Sequence, residues 1–108
     1  MGNRADRRGG PEESAVKSIE VEVRNVSGLH ARPAAAFVRT AAPFAADIRL
    51  ENVTLGGPPA NAKSIVGVMK AGVERGHVVK IVADGADEDQ ALGALRDLLA
   101  GLGEPVGE

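Results

Sequence analysis

The chain has 108 residues, 44% hydrophobic and 26% charged, with a formal net charge of −2, which suits one globular domain and is too apolar for a wholly disordered chain. Cys, Trp and Tyr are absent and Phe occurs twice, so disulfides, Cys metal sites, thiol nucleophiles and base-stacking platforms are excluded, and the acidic balance speaks against a nucleic-acid partner. No apolar run approaches membrane-spanning length and Met1–Lys17 carries no signal-peptide h-region, so a cytoplasmic protein without membrane insertion is expected.

Residues 1–17 are rich in Arg, Gly, Glu and Pro without periodicity and read as a disordered tail or linker. Ile19, Val21 and Val23 then alternate with Glu20, Glu22 and Arg24, the period of a half-buried strand. Ser27-Gly28 breaks it. Pro33 to about Ala42 reads as a helix with Ala34, Phe37, Val38 and Ala41 as its apolar stripe; Pro fits a first turn because its missing N–H would be unpaired anyway. Pro43 stops that helix.

Asp47–Glu51 alternates again, and Gly56-Gly57-Pro58-Pro59 is a loop ahead of a short return strand, Ala60–Ala62. Ser64–Ala71 reads as a second helix, with Ser64 as N-cap and Gly72 near its end. Val78–Ala83 is a β-branched strand, and Asp84-Gly85 turns the chain. Asp87 with Gln90 has capping-box spacing, and Glu88 and Asp89 suit the positive end of a helix better than a metal site. Leu92, Leu95, Leu98, Leu99 and Leu102 give that helix one apolar face. The order βαββαβα predicts an α+β domain over residues 18–102, an antiparallel sheet with helices on one face, followed by a short tail, 103–108.

Chemistry concentrates at Gly28-Leu29-His30-Ala31-Arg32-Pro33. His30 stands just before a helix, whose first N–H groups lack intrahelical partners and whose dipole is positive. A phosphate on the imidazole would meet the backbone donors of Ala31 and Arg32, and the Arg32 guanidinium can fork onto two oxygens. Local physics alone equally admits a loop histidine beside a solvated arginine. His77, in a turn before a strand, reads as structural. Two His without Cys make a poor zinc set.

GLHARPAA, residues 28–35, resembles the active-site signature of HPr, the histidine-containing phosphocarrier family of the phosphoenolpyruvate:sugar phosphotransferase system. Lys63-Ser64-Ile65-Val66-Gly67-Val68-Met69 is similar to the family's second-helix segment, and the element order matches its open-faced β-sandwich with a four-stranded antiparallel sheet and three helices. The resemblance implies a carrier rather than an enzyme. Phosphorylated enzyme I would give its phosphoryl group to Nδ1 of His30, with Arg32 neutralising the group, and His30 would donate to a histidine on a IIA-type component. No metal or organic cofactor is implied. Ser64 matches the serine that a kinase phosphorylates, and a phosphorylase dephosphorylates, in some bacteria; the plainer role is an N-cap.

Within the second helix Val68 fits an inward position, while Ile65, Val66 and Met69 are expected to form an exposed partner-docking ridge, joined by Arg39 seven residues beyond Arg32. The 52–61 loop is longer than in free-standing members, as in HPr-like modules fused into larger phosphotransferases such as the dihydroxyacetone kinase phosphotransfer subunit. A regulatory binding protein acting through Ser64 is the reading from another class. A domain that docks two proteins in turn is expected to be a monomer.

Overall fold

The computed structural model describes residues 17–102; the tails at 1–16 and 103–108 lie outside them. The elements run β1 (Lys17–Glu22), α1 (Ala31–Ala41), β2 (Asp47–Asn52), β3 (Ala60–Asn61), α2 (Ile65–Lys70), β4 (Val78–Asp84) and α3 (Glu88–Leu102). Every strand pairing is antiparallel, in the order β1-β4-β2-β3. The chain is therefore an open-faced sandwich, with α1, α2 and α3 on the buried face of a four-stranded sheet.

Register explains the core. Ile81 of β4 sits opposite Ile19 of β1 on one side and Leu50 of β2 on the other. Ile48, Leu50, Val79, Ile81 and Ala83 are fully buried, and against them pack Phe37 of α1, Val68 of α2 and Leu95 and Leu99 of α3. The alternate residues form the open face, where Lys80 lies in register between Glu20 and Glu51. Such opposite-charge neighbours favour this register at the surface. Ile19 and Val21 are only partly buried, because β1 is an edge strand; Val23, just beyond it, is fully covered.

Several boundaries differ from the sequence reading. β1 includes Lys17, whose Nζ pairs with Asp89 at 2.9 Å. α1 starts at Ala31 rather than Pro33, so Pro33 stands third in the first turn and His30 becomes the N-cap. α2 is confined to Ile65–Lys70 and β3 to Ala60–Asn61. No membrane-length apolar helix occurs among the described residues.

The capping box at α3 is corrected. The Asp87 carboxylate accepts the Ala45 and Ala46 N–H groups at 2.8 and 2.9 Å, while Glu88, almost fully buried, accepts from the Gly85 N–H at 2.9 Å. The turn before β2 runs beside the start of α3 and offers two N–H groups that have no ladder partner, so the tertiary partner wins over the local one. The Ala45 N–H bond, helped by that of Ala46 and opposed by desolvation, holds the Asp87 carboxyl below its ordinary value of 3.8. A lowered folded pKa gives stability that is present above the unfolded value and lost as pH falls through the folded one. Acid unfolding should therefore steepen below about pH 4 in the parent. Asp87→Asn should flatten that part of a urea-midpoint-versus-pH curve; an unchanged curve would show that the Asp87 bonds do not report on folding.

Candidate functional site

The segment before α1 is fixed by a close backbone crossing. Gly28 has φ of 60°, and a Cβ there would lie 2.2 Å from the Val73 carbonyl oxygen. Only glycine takes both the left-handed conformation and that approach without strain. The Leu29 N–H donates to the same Val73 carbonyl at 3.0 Å, and the Asn25 amide donates to the Gly28 carbonyl at 2.7 Å. Leu29 is buried and anchors the segment in the core.

His30 follows as N-cap with extended backbone, φ −82° and ψ −164°. Its carbonyl accepts the Ala34 N–H at 2.7 Å, the first α1 bond, but its imidazole makes no capping bond. The ring is thus free of a structural duty to the helix. The first turn holds no acidic side chain, so nothing on α1 cancels the positive end. Among the described residues the N–H groups of Ala31 and Arg32 donate to no protein acceptor, and Pro33 has none to offer. Ala31 and Arg32 are exposed. The backbone donors and the guanidinium expected beside His30 are therefore all at an open surface, an arrangement suited to an anion held outside the helix end.

A partner for His30 comes from 44 residues away. Nε2 lies 3.2 Å from Oε2 of Glu74, and both side chains are a little over half exposed. A carboxylate only accepts, so Nε2 donates and carries the ring proton; in the neutral ring Nδ1 then keeps its lone pair. Sequence reading missed Glu74. The segment that carries it reaches His30 only through the Gly28–Val73 crossing, and no local pattern announces such a contact.

His77 proves structural. Its Nδ1 accepts from the Glu74 N–H and from the Asn52 amide, both at 3.1 Å. Asn52, 1% exposed, also donates to the Ala71 carbonyl and accepts from the Leu55 N–H, each at 3.1 Å. A buried polar group satisfied on all these sides braces the turn that presents Glu74.

The second helix is placed as its pattern suggests. Ser64 caps it, accepting the Gly67 N–H at 3.0 Å. Val68 is fully buried, whereas Ile65, Val66 and Met69 are 45%, 62% and 43% exposed. α2 packs beside α1, which carries exposed Arg32 and Arg39.

Comparison with known proteins follows the same lines. Residues 17–101 match the family model described as the PTS HPr component phosphorylation site. A multiphosphoryl transfer protein of Escherichia coli O157:H7 is 47% identical over 90 residues, which cover 82% of this chain and 24% of that protein. The chain thus spans about a quarter of the length of the curated relatives it matches. Among solved structures, HPr-C-His of Thermoanaerobacter tengcongensis is similar at a TM-score of 0.76 and 46% identity, covering 83% of this chain and 99% of that one. An HPr dimer from the same organism is similar at a TM-score of 0.62 and 48% identity, covering 78% and 94% of the two chains. Family model, curated relatives and solved structures thus agree: the chain belongs to the HPr family of the phosphotransferase system.

Proposed function

We propose that this protein carries a phosphoryl group on Nδ1 of His30, taking it from phosphorylated enzyme I and handing it to a histidine on a IIA-type component. The observation that carries this reading is the site of His30 itself: an N-cap imidazole with no capping bond, at a helix end whose Ala31 and Arg32 N–H groups meet no acceptor among the described residues and whose helix carries no acidic side chain. Nδ1 attacks the donor's phosphorus in line. The donor's P–N bond breaks, its electron pair returns to the donor imidazole, and a new N–P bond forms on His30. The chain supplies little covalent chemistry beyond the lone pair; positioning and charge stabilisation do the rest. The helix end and the Arg32 guanidinium meet the three phosphoryl oxygens, and the reverse sequence discharges the carrier.

Incubation with phosphoenolpyruvate and enzyme I tests the reading. Gain of one acid-labile phosphate in the intact mass is the expected result; no gain on a folded sample would contradict it. Arg32→Ala removes a charge-assisted pair of bonds worth about 1.5–3 kcal/mol, so transfer should slow by about ten- to a hundredfold. A rate within twofold of the parent would place Arg32 outside the transfer.

Ile65, Val66 and Met69, with Arg39 on the neighbouring helix, form the surface proposed to dock the donor and acceptor. Val26, Val53 and Leu55 are exposed as well, but Ile65, Val66 and Met69 stand together on one short helix, and that clustering supports the use. Ser64 acts first as the α2 cap; a phosphate there, added by a serine kinase, would set a dianion beside this ridge and hinder docking. A cytoplasmic monomer, able to present one face to each partner in turn, is the proposed working state. A second reading keeps the chemistry and changes its setting: the same domain as part of a fused phosphotransferase. The quarter-length match to a multiphosphoryl transfer protein favours it, as does the extended 53–59 connection between β2 and β3.

A further inference from the structure

We infer that Glu74 is a positioning residue for phosphoryl transfer, its carboxylate holding the His30 Nε2 proton so that Nδ1 is a stronger nucleophile and a poorer leaving group. The inference rests on His30 being the phosphoryl carrier. Glu74 Oε2 lies 3.2 Å from Nε2, and three features aim it there. The Glu74 N–H is held by His77 Nδ1, the Asn52 amide ties that imidazole to the core, and the preceding Val73 carbonyl is bonded to the Leu29 N–H just before His30. The carboxylate and the ring are thus mounted on two segments joined by backbone, not on two free side chains.

The chemistry follows from the position. When Nδ1 forms its bond to phosphorus, the electron pair leaves the ring and Nε2–H becomes more acidic. A carboxylate on that hydrogen stabilises the charge that develops, in the way an outer-shell carboxylate raises the basicity of a metal-ligating imidazole. The Nδ1 lone pair and the Nε2–H bond diverge in the ring plane, so a phosphoryl group on Nδ1 enters away from Glu74. The same hydrogen bond strengthens the N–P bond once formed. Glu74 should therefore speed acceptance and shift the exchange with enzyme I toward phosphorylated His30. Neither effect requires Glu74 to touch the donor.

The test uses the full chain with phosphorylated enzyme I and two variants at an exposed position, where folding is not at stake. Glu74→Ala should lower kcat for acceptance about tenfold, with KM for enzyme I within twofold, and move the exchange equilibrium toward phosphorylated enzyme I by a similar factor. Glu74→Gln keeps an acceptor but loses the charge, and should fall between parent and Glu74→Ala. In ¹⁵N spectra of the His30 ring, the parent should show Nε2 protonated and Nδ1 bare, and Glu74→Ala should show the two nitrogens averaging. Unchanged kcat, equilibrium and ring signals in Glu74→Ala, with the parent phosphorylated normally, would overturn the inference and leave the carrier reading intact. A rise in KM alone would also overturn it, by making Glu74 a docking contact. A parent that takes no phosphate would remove the carrier reading itself, and this inference with it.

Discussion

Replacing His30 with alanine is expected to abolish phosphate acceptance while leaving the fold in place. The His30 ring is more than half exposed and gives α1 no side-chain cap. The contacts it loses are the Glu74 bond and little else, so stability should change by less than about 1 kcal/mol. The chemistry has no substitute on the chain. Cys is absent, and the only other histidine, His77, has Nδ1 committed to Glu74 and Asn52. Intact mass after incubation with phosphoenolpyruvate and enzyme I, beside a urea unfolding curve, reads both halves of the expectation. Full phosphorylation of His30→Ala would mean that another residue is the acceptor. An unfolded His30→Ala would mean that the exposed ring has a structural role its contacts do not reveal.

Gly28→Ala should be damaging for the opposite reason, since it changes no functional group. A Cβ at this position would stand 2.2 Å from the Val73 oxygen and 2.9 Å from the Glu74 Cα. Both are backbone atoms, which cannot swing aside as a side-chain tip would. The left-handed φ of 60° adds its own cost. Strain and overpacking together should lower stability by about 2–5 kcal/mol. The crossing also sets the distance between His30 and Glu74, so a surviving fold should transfer phosphate about tenfold more slowly, as Glu74→Ala does. Gly56→Ala is the control. Its φ is 73°, but nothing lies within 4 Å of the added carbon, so it carries the strain without the clash. Equal urea midpoints for the two variants would show that close approach to Val73 is not what fixes Gly28.

Much of the fold is legible in the sequence because period and punctuation agree. Strand alternation at Ile48 and Leu50, the α1 stripe through Ala34, Phe37 and Ala41, and the leucines of α3 all mark the face that the core covers. The Ser64 cap is local, and so it could be read from spacing. What could not be read is tertiary. The alternation at Ile19 and Val21 gives no sign that β1 is an edge and leaves both half covered. The spacing of Asp87 and Gln90 suggests a cap, whereas the Asp87 carboxylate serves the turn at Ala45 and Ala46, 42 and 41 residues away.

The site divides the same way. His30, Ala31 and Arg32 are contiguous, and a helix end is a feature that sequence can announce. Glu74, His77 and Asn52 come from separate stretches and meet because the Val73 carbonyl meets the Leu29 N–H. Gly28 is legible as a stop after the first strand, but its reason, a backbone crossing, is not. The docking ridge lies between these cases. The excess of apolar residues on a short helix signals that some must face out, and burial of Val68 decides which.

Nδ1 of His30 as the phosphoryl-bearing atom can be observed in ¹⁵N- and ³¹P-detected spectra of the ¹⁵N-His-labelled protein, recorded after phosphorylation by enzyme I and phosphoenolpyruvate. A single phosphorus coupled to Nδ1 of His30 is expected, with Nε2 still protonated toward Glu74 and the His77 signals unmoved. Phosphorus on Nε2 of His30, on His77 or on an oxygen such as that of Ser64 would contradict it.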